Sequence, residues 1–222
     1  DGNFVTAIEE IDRAALRQRL WKFRAGAVVV ATGAFQRPLV FARNDLPGVM
    51  LASAVEELIA SHAVAPGHRL LFATVDDSAY AAAFTAYDAG LAVAGIVDAR
   101  QALSAAGEDA LARGIPVFAG NHITAAFGGR RVGAVEIAGP AGHHRIACDT
   151  IAVSGGWSPA VQLFSQSGGT TRYDATIGGF VPDRAVQASH VCGAAAGIFD
   201  PEAAIESGRG AGAAAARGEP PF

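Results

Sequence analysis

The chain has 222 residues, 51% of them hydrophobic and only 17% charged, ample for one large buried core or two small ones. Its net charge of -4, with no Lys/Arg cluster, argues against a nucleic-acid partner. No apolar run reaches the roughly 20 residues of a membrane helix, so no membrane is expected.

Two cysteines, Cys148 and Cys192, lack metal-type spacing and read as buried, unpaired thiols in a reducing, cytoplasmic setting. The opening DGNFVTAIEE has neither Met, basic n-region nor apolar h-region, which reads as an interior segment of a longer polypeptide without a signal peptide.

Along the chain, RLWKFR (19–24) alternates as a strand, and AVVVATGAFQRP (27–38) reads as a buried strand, Val28–Val30, ended by a sharp turn at Gly33. NDLPGV (44–49) is a turn on Pro47-Gly48. SAVEELIASHAV (53–64) has helical spacing, with Ser53 as N-cap facing Glu56. A strand at 69–75, a helix over about 78–89 stopped by Gly90, and a strand at 91–97 come next. A helix is expected within DARQALSAAGEDALARGI, then a strand at PVFAG (116–120). HITAAFGGRRVGAVEI (122–137) reads as a hairpin joined near Gly128-Gly129, and GPAGHHR (139–145) as a turn. CDTIAVSGGWSPAVQLF (148–164) repeats the device of VVVATG: a buried strand, a glycine turn, then a short helix. A strand at 189–192, a turn at Gly193 and an Ala-rich helix from Pro201 close the chain.

The most telling stretch is 70–100, LLFATVDDSAYAAAFTAYDAGLAVAGIVDAR. A strand, turn, helix and second strand ending in Asp98 make the opening βαβ of a dinucleotide-binding domain. There the pyrophosphate sits on the helix N-terminus, and an acid about 20 residues on takes the ribose hydroxyls. Asp98 lies 21 residues after Asp77. The fingerprint glycines are absent, however, and Asp76 and Asp77 put negative charge where a dianion would lie; one of them is expected to cap the helix. An α/β domain that keeps this fold without binding nucleotide is the alternative. His62 and His68 read as surface residues and His143-His144 as part of a turn. None has a Ser, Cys or metal partner at sensible spacing, so neither a catalytic triad nor a metal site is expected.

The ordered set DGNFVTA, RLW, VVVATGAFQRPLVFARNDLPGVMLASA, DDSAY, VDAR, IAVSGGWSPAVQLFSQSGG and the GFVP tail resembles the α subunits of heterotetrameric sarcosine oxidases over essentially the whole chain. Its single motifs are shared with the pyridine-nucleotide–disulfide oxidoreductase superfamily. The resemblance implies an α/β, three-layer, Rossmann-like two-dinucleotide-binding flavoprotein fold. Residues 1–44 and 145–222 would be parts of an outer FAD/NAD-binding-like domain, and 45–144 an inserted NAD-domain-like unit. It implies a subunit that carries NAD, in a complex that also holds FAD and covalent FMN, with β, γ and δ subunits as partners. The complex would oxidise sarcosine to glycine, a formaldehyde-level one-carbon unit and hydrogen peroxide.

Amine oxidation belongs to another subunit, so no catalytic residue is expected here, and the segment alone is expected to be inactive. The implied cofactor contacts are Thr32, Gly33, Gly155, Gly156 and Gly193 on the outer domain, with Ser78, Ala79, Tyr80 and Asp98 on the insert. Gly193-Ala194 stands where the family has Gly-Asp, which with the glycine-free turn implies a structural or vestigial nucleotide. Two other readings are a stand-alone NAD(P)H-dependent FAD oxidoreductase and a nucleotide-free scaffold subunit of an amine or amino-acid dehydrogenase complex.

Overall fold

The computed structural model describes residues 2–13 and 16–220. The first strands are β1 (Phe4–Arg13), β2 (Leu16–Arg24), β3 (Val28–Val30), β4 (Ala34–Gln36) and β5 (Val49–Leu51). Helices and strands then alternate: α1 (Ala52–Ala60), β6 (Arg69–Thr74), α2 (Ser78–Asp88), β7 (Ala92–Asp98), α3 (Ala105–Ala112) and β8 (Val117–Ala119). A run of strands follows: β9 (His122–Phe127), β10 (Ala134–Gly139), β11 (Gly142–Ala147), β12 (Thr150–Ser154) and β13 (Trp157–Pro159). The last elements are α4 (Gln162–Gln166), β14 (Thr170–Asp174), β15 (Gly179–Arg184), β16 (Ser189–Val191), a 3-10 turn over Gly193–Ala196 and α5 (Pro201–Arg217). By their internal contacts these form a central unit, Gln36–Trp157, and a flanking unit, Asp1–Phe35 with Ser158–Phe222.

The central unit has three layers. Its middle is a parallel sheet in the order β5-β12-β6-β7-β8. Helices cover one face and the antiparallel sheet β11-β10-β9 the other, which is why β6 and β12 read as continuous apolar runs rather than alternating ones. The pleat divides β6 between two cores. Leu70 and Phe72 join Val55, Ala79, Tyr80, Ala83 and Ile96 on the helix side. Leu71 and Ala73 join Ile123, Val135, Ile137 and Val153 on the other. Helix α2 buries alanine after alanine, and these small side chains let it lie close to the sheet. At the amino end of β6, the Asp149 carboxylate accepts the N–H groups of His68 and Arg69, at 2.9 Å from each, and so ties the starts of β12 and β6 together. Burial alone would raise the pKa of Asp149; the donors Arg69 and His68 outweigh it and hold the carboxyl below its usual value.

In the flanking unit β1 and β2 form an antiparallel hairpin, β14 and β15 another, and β3 pairs in parallel with β16. Glu9 accepts from Arg19 (3.2 Å) and the Trp21 indole (2.9 Å) across the first hairpin. Helix α5 starts with Asp200, whose carboxylate accepts the Ala203 N–H at 2.9 Å, has Pro201 in its first turn, and ends at left-handed Gly218.

Four local expectations change. Ser53 is not an N-cap: α1 begins directly from β5 with Leu51 at the cap position, and the Ser53 N–H donates to Gln36 Oε1 at 2.8 Å. The segment 139–145 is not one turn, because Gly139 pairs with Gly142 and His143–Arg145 run on as β11 against β10. Val29 is 40% exposed, so of the three valines in β3 only Val30, at 6%, is buried core. The hairpins β1–β2 and β14–β15 extend beyond anything periodicity marked. Cys148 and Cys192 are buried thiols; burial pushes Cys148 up to about 12.

Candidate functional site

The carboxyl ends of β6, β7 and β12 meet at one edge of the central unit, where a parallel α/β sheet binds its ligands. The turn from β6 into α2 is closed by its own side chains. Asp76 Oδ1 accepts the Ser78 N–H at 2.9 Å and also the Ser78 hydroxyl. The Thr74 hydroxyl donates to the Asp76 carbonyl at 2.7 Å, and the Tyr80 N–H donates to the Asp77 carbonyl at 3.1 Å. Ser78 Oγ lies 2.6 Å from Ser154 Oγ at the end of β12, and Gln36 Nε2 donates to Ser154 Oγ at 3.0 Å. The N-cap position of α2 is Asp77, whose side chain makes no capping bond; Asp76, one residue earlier, accepts the first N–H of the helix instead.

Asp98, at the end of β7, is 1% exposed and tied on both oxygens. Oδ1 accepts the Arg100 N–H at 2.9 Å and Nε at 3.0 Å; Oδ2 accepts Arg100 Nη2 at 2.7 Å and the Tyr80 hydroxyl at 2.9 Å. The same Arg100 Nη2 donates to Asp77 Oδ1 at 2.6 Å, which also accepts the Ser104 hydroxyl at 2.6 Å. Burial and the bond to Asp98 raise the Tyr80 phenol above its usual pKa. For Asp77 burial works upward, but the bonds from Ser104 and Arg100 prevail and hold it low. The bond to Asp98 raises Arg100, so the guanidinium stays charged.

Ala79 and Tyr80 are fully buried in the helix-side core and present no side chain at the surface of this edge. Gly155 and Gly156 stand here too, since β12 is an inner strand of the parallel sheet. They are used by the chain itself: Gly155 N–H donates to Arg37 O at 2.7 Å and Arg37 N–H to Gly156 O at 2.8 Å. A Cβ on Gly155 would come within 2.9 Å of the Pro38 carbonyl oxygen, and Gly156 has φ +80°, so both positions need glycine. On the other face of the sheet an open pocket of about 150 Å³ lies between Val75, Ala99 and Asn121.

Thr32, Gly33 and Gly193 belong to the flanking unit. The Thr32 hydroxyl donates to Ala160 O at 2.6 Å, and Gly33 O accepts the Ala160 N–H at 2.9 Å. Gly33 leaves open space around its Cα, and the Gly193 N–H donates to Ser207 Oγ at 3.3 Å. Sequence reasoning passed over three groups. Arg100 and Ser104 are invisible as partners of Asp77 because 23 and 27 residues separate them. His190 is 2% exposed with no hydrogen-bond partner on either ring nitrogen among the described residues, and no neighbouring residue type in the sequence signals it. Among the described residues no three His, Cys, Asp or Glu side chains could hold a metal ion, and no helix is long and apolar enough to cross a membrane.

No family model matches the chain. It is similar to the sarcosine oxidase α subunit of Corynebacterium sp. (strain P-1), 38% identical over 217 residues, covering 89% of this chain and 22% of that subunit. The α subunit of Rhizobium meliloti (strain 1021) is 33% identical over 203 residues, covering 88% and 20%. The chain thus spans about a fifth of the length of the curated relatives it matches. Among solved structures, Lactococcus lactis thioredoxin reductase matches 98% of this chain and 71% of its own, with TM-score 0.68 at 17% identity. A FAD-dependent pyridine nucleotide-disulphide oxidoreductase from Desulfovibrio vulgaris matches 98% and 59%, with TM-score 0.67 at 18% identity. Over nearly its whole length the chain is similar to sarcosine oxidase α subunits, of which it spans about a fifth, and it has the α/β Rossmann-like fold of the FAD- and pyridine-nucleotide-dependent oxidoreductases.

Proposed function

We propose that the chain acts as part of the α subunit of a heterotetrameric sarcosine oxidase, contributing dinucleotide binding and contacts to the β, γ and δ subunits. The complex demethylates sarcosine oxidatively to glycine, a formaldehyde-level one-carbon unit and hydrogen peroxide, with the amine oxidised on a flavin carried by another subunit. The chain is organised as an outer domain contributed by both ends of the sequence and an insert between them, with the insert running over Gln36–Trp157 rather than 45–144, so that Gly155 and Gly156 belong to it and not to the outer domain. NAD is the nucleotide of this chain, and FAD and FMN complete the assembly. In the outer domain Thr32, Gly33 and Gly193 offer backbone that a dinucleotide can approach closely.

The observation that best supports a non-catalytic role is the engagement of the acids at the sheet edge. Asp98 and Asp77 are bonded to Arg100, Tyr80 and Ser104, and Asp76 to Ser78, so none stands ready as a base over a substrate amine. Tagged at its own locus and purified under native conditions, the chain should bring down a flavin-bearing polypeptide, while the chain alone should not reduce a dye with sarcosine. Capture of no flavoprotein would count against the assembly. Reduction of flavin by NADH in the isolated chain would favour the stand-alone oxidoreductase.

A further inference from the structure

We infer that the central unit is a self-closed nucleotide fold, in which the Asp76 carboxylate holds the place of the pyrophosphate and the Arg100 guanidinium that of the ribose hydroxyls. The dinucleotide proposed for this chain, on which this inference rests, is then held by the flanking unit. A dinucleotide needs two things from this edge: free N–H groups at the start of α2 and an acid at the end of β7 able to accept from a ribose diol. Neither is free. The Ser78 N–H is accepted by Asp76 and the Tyr80 N–H by Asp77 O. An ionised carboxylate has about four lone-pair sites. Asp98 already receives four donors, three of them from Arg100.

Charge adds to geometry. A pyrophosphate at the start of α2 would meet the carboxylate of Asp76 in its own position and that of Asp77 beside it. Arg100 cannot turn outward to neutralise it without leaving Asp98 buried and unpaired. The two acids that looked like defects in the turn are thus its ligands. The fold keeps the shape of a nucleotide domain because its own groups engage the acceptor and two of the donors that a nucleotide would otherwise engage.

The test is calorimetric titration of NAD into the whole chain. Asp98→Asn should leave NAD affinity within about twofold of wild type, because Asp98 touches no nucleotide. The double variant Asp76→Ala/Arg100→Gln should gain an NAD site at least tenfold tighter than any the wild-type central unit offers, and adding Asp98→Asn should abolish that gain. A tenfold loss of NAD affinity in Asp98→Asn alone would overturn the inference. So would a double variant that melts cooperatively yet gains no site. If wild type binds no NAD at all, the dinucleotide reading of the chain fails, whereas the double variant still tests the closure.

Discussion

Asp98→Ala is expected to lower the free energy of unfolding by about 3 kcal/mol, the largest loss from any single polar side chain at the sheet edge. Removing one partner of a buried charged network leaves the others without compensation, a change that costs about 3–5 kcal/mol when the pair is fully buried. Here Asp98 is 1% exposed but the Arg100 side chain is 34% exposed, so the guanidinium can recover some hydration and the lower end of that range applies. The Tyr80 hydroxyl has no such escape: Tyr80 is 1% exposed and its bond to Asp98 would be lost inside the core. Asp98→Asn keeps the shape and the Tyr80 bond and should cost less than Asp98→Ala. Chemical denaturation monitored by circular dichroism measures both, and a loss below about 1 kcal/mol for Asp98→Ala would show that the network does not hold this edge together.

Phe72→Ala should cost still more, about 3–5 kcal/mol, as a large buried ring leaves a cavity that the surrounding sheet cannot close. Phe72 is fully buried on the helix side of β6, among Val55, Ala79, Tyr80 and Ile96. The same strand feeds directly into the turn at 74–78, so loosening it should also loosen the bonds that Asp76 and Thr74 make there. Val40→Ala, at a side chain 91% exposed, is the matching control and should stay within about 0.5 kcal/mol of wild type. Equal effects from the two substitutions would contradict the placement of Phe72 in the core.

Where local chemistry alone decides, the residues were readable. Pro201 marks the start of α5, and the glycine at 90 closes α2, because such signals act within a turn of chain. Long-range partners were not readable. That Ser53 needs no cap of its own depends on Gln36, 17 residues away, and the role of Gly155 and Gly156 depends on Arg37, 118 residues away. The acid at the end of β7 was found by spacing, but spacing cannot show that Arg100 folds back onto it. A side chain two residues on from Asp98 ends beside it only because the chain turns at Ala99, whose N–H donates to Thr74 O at 3.0 Å. The hairpin β14–β15 has no clean alternation to announce it, since Tyr173 and Phe180 pair on a face that stays exposed.

The most direct test of the account is the nucleotide content of the natively purified protein that carries this chain, read by mass spectrometry of the supernatant after denaturation. NAD in a fixed ratio to the chain is the predicted result. A supernatant free of any nucleotide would contradict it and leave a scaffold that keeps the fold alone.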